Sequence, residues 1–175
     1  MAETGLGGPA SAVSRLSACQ RPGPRGLLPC QPRAAHNSRA MIEVKADNFC
    51  FACGPANPHG LHLSGFVLDG DVYRFEYTPE PHHQGWQGIV HGGIIATVLD
   101  EAMTRLLWET GRPAVTAQIC IRYRRPLAVG TRTRVRAWVE GERHGLFLTR
   151  AVIEDDDGEY ASAEAKFMKA RPGDE

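Results

Sequence analysis

A histidine, His91, a glycine pair, Gly92 and Gly93, and a carboxylate, Asp100, fall within a single short stretch of the chain. Asp100 stands in an otherwise apolar run that continues to about Trp108. Burying an unpaired carboxylate costs several kcal/mol, so a carboxylate in such a run needs a partner or a task. Glu101 has a partner at hand in Arg105, four residues on, and reads as half of a surface ion pair. Asp100 has none in the local sequence. The glycines offer the other half of a reaction, because free N–H groups at a helix start receive an oxyanion and glycine lets a substrate approach the backbone. A carboxylate and a backbone oxyanion site are the components of acyl transfer.

These groups must be positioned by a helix that begins at the glycines. Ile95, Val98, Leu99, Ala102 and Leu106 follow the spacing of a buried helical face. Thr97, Asp100 and Thr104 lie on a neighbouring face, and Gly111-Arg-Pro closes the helix. Ahead of it, residues 61–68 and 72–77 alternate as two strands joined at Asp69-Gly70-Asp71. Pro79 and Pro81 then break the second strand and open a loop holding His82, His83, Gln84 and Trp86. Beyond the helix, Val115, Ala117, Ile119, Ile121 and Tyr123 alternate with Thr116, Gln118, Cys120, Arg122 and Arg124, a strand whose apolar face packs on the helix. Residues 131–140, 145–154 and 160–169 give three more strands, with turns at Glu140-Gly141 and at 155–158. The expected class is α+β, one long helix wrapped by an antiparallel sheet.

The spacing of Gly85, Gly88, Val90, His91, Gly92, Gly93, Ala96, Thr97 and Asp100 resembles that of hotdog-fold acyl-CoA thioesterases, both the phenylacetate-pathway (PaaI-like) type and the thioesterase-superfamily-member group. The resemblance covers about residues 47–170. It implies the hotdog fold and hydrolysis of an acyl-CoA to a free acid and CoA. Asp100 would act as general base or as nucleophile, and the Gly92 amide, together with Gly93, would hold the oxyanion. His91 would contact the substrate or hold the loop, and Thr116 would orient the water or the carboxylate. Some relatives carry an asparagine six residues before the motif histidine, where this chain has Gly85. Arg122 and Arg124 match the region that contacts CoA. The family works as a homodimer or a dimer of dimers, with His91 and Gly92 of one chain facing Asp100 and Thr116 of its partner. A thiol of pKa near ~8.5 departs readily as thiolate, so the reaction needs neither a strong acid nor a metal or cofactor. A hotdog enoyl-thioester hydratase or dehydratase, or a non-catalytic acyl-CoA-binding protein, are the alternatives.

Lys plus Arg equals Asp plus Glu at 20 each, so overall charge gives no argument for nucleic acid or a membrane surface, and no apolar run reaches the ~18 residues of a span. Five cysteines and no secretory signal point to a reducing cytoplasm. Residues 1–40 are rich in Gly, Pro, Ala, Ser and Arg with Glu3 the lone acid, the composition of a disordered extension. An organelle transit peptide, or a natural start at Met41, are other readings of that segment. The domain is expected over 41–170, with 171–175 as a tail. Cys50 and Cys53, with His59 and His62, have a metal-like spacing, but the turns around them read as a lead-in loop with two buried thiols. Arg122, Arg124, Arg132, Arg134 and Arg136 alternate on two strands expected to be neighbours. They make either a solvated face or a phosphate contact, and without an aromatic row they do not suggest nucleic acid.

Overall fold

The computed structural model describes residues 41–173, so the readings made of 1–40 and of the final two residues lie outside it. Among the described residues, nine strands and one α-helix follow one another: β1 Ile42–Val44, β2 Val67–Asp69, β3 Val72–Tyr77, β4 Gln84–Trp86, β5 Ile89–Val90, α1 Gly92–Glu109, β6 Ala114–Tyr123, β7 Thr133–Arg143, β8 Leu146–Asp155 and β9 Gly158–Pro172, with one turn of 3-10 helix, Pro81–His83, between β3 and β4. The main sheet runs β2-β3-β7-β8-β9, and the far edge of β9 is shared by β6, antiparallel, and β1, parallel. β4 and β5 form a small separate ribbon. The class is α+β, as the periodicities imply.

The helix forms where its apolar period demands. Ile95, Val98, Leu99, Ala102 and Leu106 are all buried, joined by Met103 and Leu107. They pack on the inner face of the sheet, against β3, β6, β7, β8 and β9. That face carries Tyr73, Phe75, Val135, Ala137, Ile153 and Phe167. Ala161, Ala163 and Ala165 keep its β9 portion flat enough for a helix to lie close. Gly111, at φ +71, ends the helix in the left-handed conformation.

The structure departs from the sequence pattern at four places. The strand expected over 61–68 shrinks to Val67–Asp69, because the residues before it fold on themselves as a loop. The turn expected at Glu140-Gly141 is a bulge: pairing with β8 shifts between Val139 and Gly141 and the strand continues to Arg143. The chain reverses instead at His144 and Gly145, both at positive φ, as a tight hairpin requires. β6 and β7 are not neighbours, since β9 and β8 lie between them. Arg132, Arg134 and Arg136 therefore form their own row, paired with Glu76, Asp156 and Glu154 on the solvated side.

The fourth departure concerns β6 itself. Its register against β9 shifts between Thr116 and Gln118. Strict alternation would put Thr116 on the face opposite Ile119 and Ile121. The extra residue, Ala117, instead turns Thr116 toward α1, the same side as those two core-packed residues. The bulge re-aims one side chain, and that side chain belongs to the candidate site.

Candidate active site

Around the start of α1, the backbone groups and one imidazole nitrogen are tied into a set of short hydrogen bonds. His91 is the N-cap, extended at φ −64 and ψ 132, and its Nδ1 accepts the Gly93 N–H at 2.9 Å. Its own N–H donates to the His83 carbonyl at 2.9 Å, and its carbonyl accepts from Ile94 and Ile95. The Tyr123 hydroxyl donates to the Gly92 carbonyl at 2.7 Å. The peptide between Gly92 and Gly93 is thus held at both ends, by a tyrosine on β6 and by the imidazole. The Gly92 N–H has no acceptor among the described residues. It is a single donor backed by the positive end of a helix of five turns.

Glycines seat the imidazole. A Cβ at Gly85 would stand 2.9 Å from His91 Cδ2, and one at Gly93 would stand 3.0 Å from Nδ1. Nothing larger fits at Gly85 unless His91 moves. Gln84 is not aimed at the helix start, since its Oε1 accepts the Gly88 N–H at 3.0 Å across a turn in which Gly88 has φ +75. Underneath, the buried His83 ring lies 3.1 Å through Nδ1 from both the Tyr77 hydroxyl and the Glu80 N–H. Burial, and then the neighbouring His82, hold its pKa below the usual histidine value, so it stays a neutral anchor for the loop.

Two turns along the helix, Asp100 Oδ1 accepts the Thr116 hydroxyl at 2.7 Å. Burial raises the Asp100 pKa, and the bond from Thr116 works against that rise. A partly desolvated carboxylate with one oxygen held by a neutral donor is a competent base or nucleophile. The other oxygen has no hydrogen-bond donor among the described residues.

The structure brings His91, Gly92, Gly93 and Gly85 together at the helix start, and Asp100 with Thr116 farther along. Asp100 lies eight residues from Gly92, about 12 Å along the axis. Arg124 is engaged by Glu159, Nε to Oε1 at 2.8 Å, whereas Arg122 is exposed with no carboxylate partner among the described residues. The Glu101–Arg105 surface pair does not form: Glu101 is buried and Arg105 pairs with Glu109 at 2.7 Å. The hydrophobic face of the helix is wide enough to include position 101, which the spacing alone did not indicate. His59 and His62 are exposed and do not join the cysteines. Tyr123 and His83 were missed by the sequence reading. The one available signal was an aromatic closing the alternation of β6; His83 gave none, because its partners are set by the loop.

A sheet curled around one helix, with an unpaired N-terminal amide and a carboxylate two turns on, defines the protein as one of hotdog fold. Residues 87–162 match the family model of the Thioesterase superfamily, a range that takes in all but Gly85 of the motif read from residues 85–100. Among solved structures, a thioesterase superfamily protein is similar at 26% identity and a TM-score of 0.62, over 69% of this chain and 60% of that one. This chain thus spans less than two thirds of the length of that relative. The PaaI protein of E. coli, from the phenylacetic acid degradation operon, is similar at 18% identity and a TM-score of 0.55, over 59% of this chain and 80% of that one. A Streptococcus mutans protein solved with acetyl-CoA bound is similar at 18% identity and a TM-score of 0.57, over 62% and 90% respectively. No helix among the described residues is long and apolar enough to cross a membrane.

Proposed function

We propose that the protein hydrolyses acyl-CoA thioesters to a free acid and CoA, within a domain spanning 41–170 and in a reducing cytoplasm. The observation that carries the reading is the 2.7 Å bond from Thr116 to a partly desolvated Asp100 on the central helix. Asp100 takes a proton from water as the water attacks the thioester carbonyl, or attacks that carbon itself to give a mixed anhydride that water then opens. In either course the C–S bond breaks and CoA leaves as thiolate. The Gly92 N–H receives the negative charge that develops on the carbonyl oxygen. Thr116 orients the carboxylate, and Gly85 and Gly93 line the acyl carbonyl's approach to His91. Arg122, with the remaining N–H groups of Arg124, faces the CoA phosphates. The acetyl-CoA bound by the S. mutans protein agrees with CoA as the carrier.

The spacing within one chain favours a site shared between two. A reacting carbonyl needs the donor about 3 Å from its oxygen and the carboxylate about 3 Å from its carbon, and the separation of Gly92 from Asp100 exceeds that reach. His91 and Gly92 of one subunit therefore work with Asp100 and Thr116 of another, in a homodimer or a dimer of dimers.

Free-thiol release from short, medium, long and aryl acyl-CoAs tests the reading, with wild type beside Asp100→Asn. Wild-type turnover that drops by about 10²–10⁴ in the variant is expected for the loss of the base. Binding of acyl-CoA without cleavage would sink it in favour of a non-catalytic acyl-CoA-binding protein, and hydration of an enoyl thioester in favour of a hydratase.

A further inference from the structure

The segment before β2 plays no part in the reaction above, yet it is tightly built. Gly54 N–H donates to the Cys50 carbonyl at 2.8 Å and Ala56 N–H to that of Asn48 at 2.9 Å. Leu61 and Leu63 donate to Phe51 and Ala52 at 2.8 and 2.9 Å. The buried Asn57 side chain braces the loop, donating to the Phe49 carbonyl at 3.2 Å and accepting the His59 N–H at 3.0 Å. A Cβ at Gly54 would stand 2.3 Å from the Cys50 nitrogen, so only glycine closes this turn. The outcome is that two thiols three residues apart point to one side, against α1.

What they meet there is Glu101. One ligand atom from each of Cys50, Cys53 and Glu101 lies within 4.8 Å of the other two, and Cys50 Sγ is 4.0 Å from Glu101 Oε2. Glu101 is only 8% exposed. Its hydrogen-bond partners among the described residues are the two thiols, which are weak donors, while Arg105 favours its charge only from a distance and makes its ion pair with Glu109. A buried carboxyl without a strong donor or a paired cation is costly to keep, and a cation held jointly with the thiols removes that cost.

We propose that Cys50, Cys53 and Glu101 form a binding site for a thiophilic divalent cation of the zinc class, tethering the lead-in loop to the central helix. Two thiolates from a Cys-x-x-Cys turn and one carboxylate are a donor set that zinc accepts, with ligand distances of about 2.0–2.3 Å. Ligand atoms around such an ion stand closer together than the 4.8 Å bound, so small side-chain rotations complete the geometry. Both thiol protons pass to solvent as the metal binds. Water completes the coordination from the side of the half-exposed thiols. The site differs from the one that residue spacing suggests, because a carboxylate from the helix takes the place of His59 and His62.

The test uses the full chain, reduced and freed of metal, titrated with Co²⁺ and then Zn²⁺. The expected result is a thiolate-to-cobalt charge-transfer absorption that saturates at one metal per chain and is displaced by Zn²⁺. Cys53→Ser and Glu101→Gln should each weaken Zn²⁺ binding by about 100-fold or more, beyond the loss seen when only an outer-shell partner is changed. Glu101→Gln preserves side-chain shape, so it reads the ligand even where the cysteine variant fails to fold. In wild type, Zn²⁺ should protect Cys50 and Cys53 from alkylation while the exposed Cys120 reacts with or without metal. No charge-transfer band, undiminished Zn²⁺ affinity in Glu101→Gln, or isolation of the protein with a Cys50–Cys53 disulfide in place of metal binding would each overturn the proposal. None of these readouts depends on thioester turnover.

Discussion

One N–H group, that of Gly92, carries the oxyanion role in the proposed reaction, and it can be deleted without dismantling the helix it starts. Proline is favoured at the first helical position, where the N–H makes no intrahelical bond, and it requires an extended residue before it. His91 is extended at φ −64 and ψ 132. A Cβ at Gly92 would sit 3.5 Å from the Tyr123 ring, an ordinary contact. Gly92→Pro is therefore expected to fold with little change in melting temperature and to lose about 10²–10³ in kcat, the usual cost of one oxyanion donor. Gly92→Ala, which keeps the N–H, should lose far less. Equal losses in the two variants, measured by thiol release with circular dichroism as the fold control, would mean that the side of Gly92 matters and its N–H does not. The sequence offered this group only together with the Gly93 amide, because free N–H groups at a helix start follow from the helix period and the glycine pair. It did not show that Gly93 is committed to the His91 imidazole, or that Tyr123 fixes the adjoining carbonyl. Those bonds depend on where β6 crosses the helix, and no local spacing encodes that.

At the scale of elements, the long periodic segments were legible and the irregular ones were not. Helix α1 and strands β6 to β9 declare themselves through apolar repeats of 3.6 and 2. The bulge at Ala117 is invisible to such counting, yet it is what brings Thr116 to Asp100. The far end of β6 is fixed by a corner that no motif announces. Arg124 N–H donates to the Tyr160 carbonyl at 2.8 Å, and the Arg125 guanidinium pairs with Asp155, donates to the Gly158 carbonyl at 2.7 Å and lies 3.6 Å from the centre of the Tyr160 ring. The Tyr160 hydroxyl donates to Asp155 Oδ2 at 2.6 Å. That bond first, and the Arg125 contact after it, hold the Asp155 carboxyl below its ordinary pKa. A carboxyl depressed in the folded state contributes stability that is present above the unfolded value, near ~3.9, and is lost as pH falls through the folded one. Tyr160→Phe keeps the buried ring and removes the hydroxyl. Its melting temperature should fall short of wild type by a full margin at neutral pH, and the margin should close below about pH 4 as Asp155 protonates in both proteins. Thermal melts across that range decide the matter, and a margin that does not change with pH would show that the ring, not the carboxylate bond, is what the substitution disturbs.

For the whole molecule, the proposed reaction turns on a distance: Gly92 and Asp100 lie about 12 Å apart along one helix. The edge of β6 away from β9 has no strand paired to it among the described residues, and Thr116, Gln118, Arg122 and Tyr123 along that strand are exposed. An unpaired edge of ten residues is a surface that proteins normally cover or blunt, and a second copy of the chain is one way to cover it. If the site is shared between two copies, defects on opposite halves must complement. Asp100→Asn and Gly92→Pro each inactivate both sites of their own homodimer. A mixed dimer, however, holds one site in which the intact Gly92 of one chain meets the intact Asp100 of the other. Random exchange at equal amounts makes half of the dimers mixed with one working site in two, so thiol release should return to roughly one quarter of the wild-type rate. The expected course is a rise from the two inactive stocks after brief unfolding and joint refolding, absent when either stock is refolded alone. A mixture that stays inactive while size measurements and differentially tagged subunits show that exchange has occurred would place both halves of the site within one chain, and the separation along α1 would then have to be bridged by a movement of the helix start.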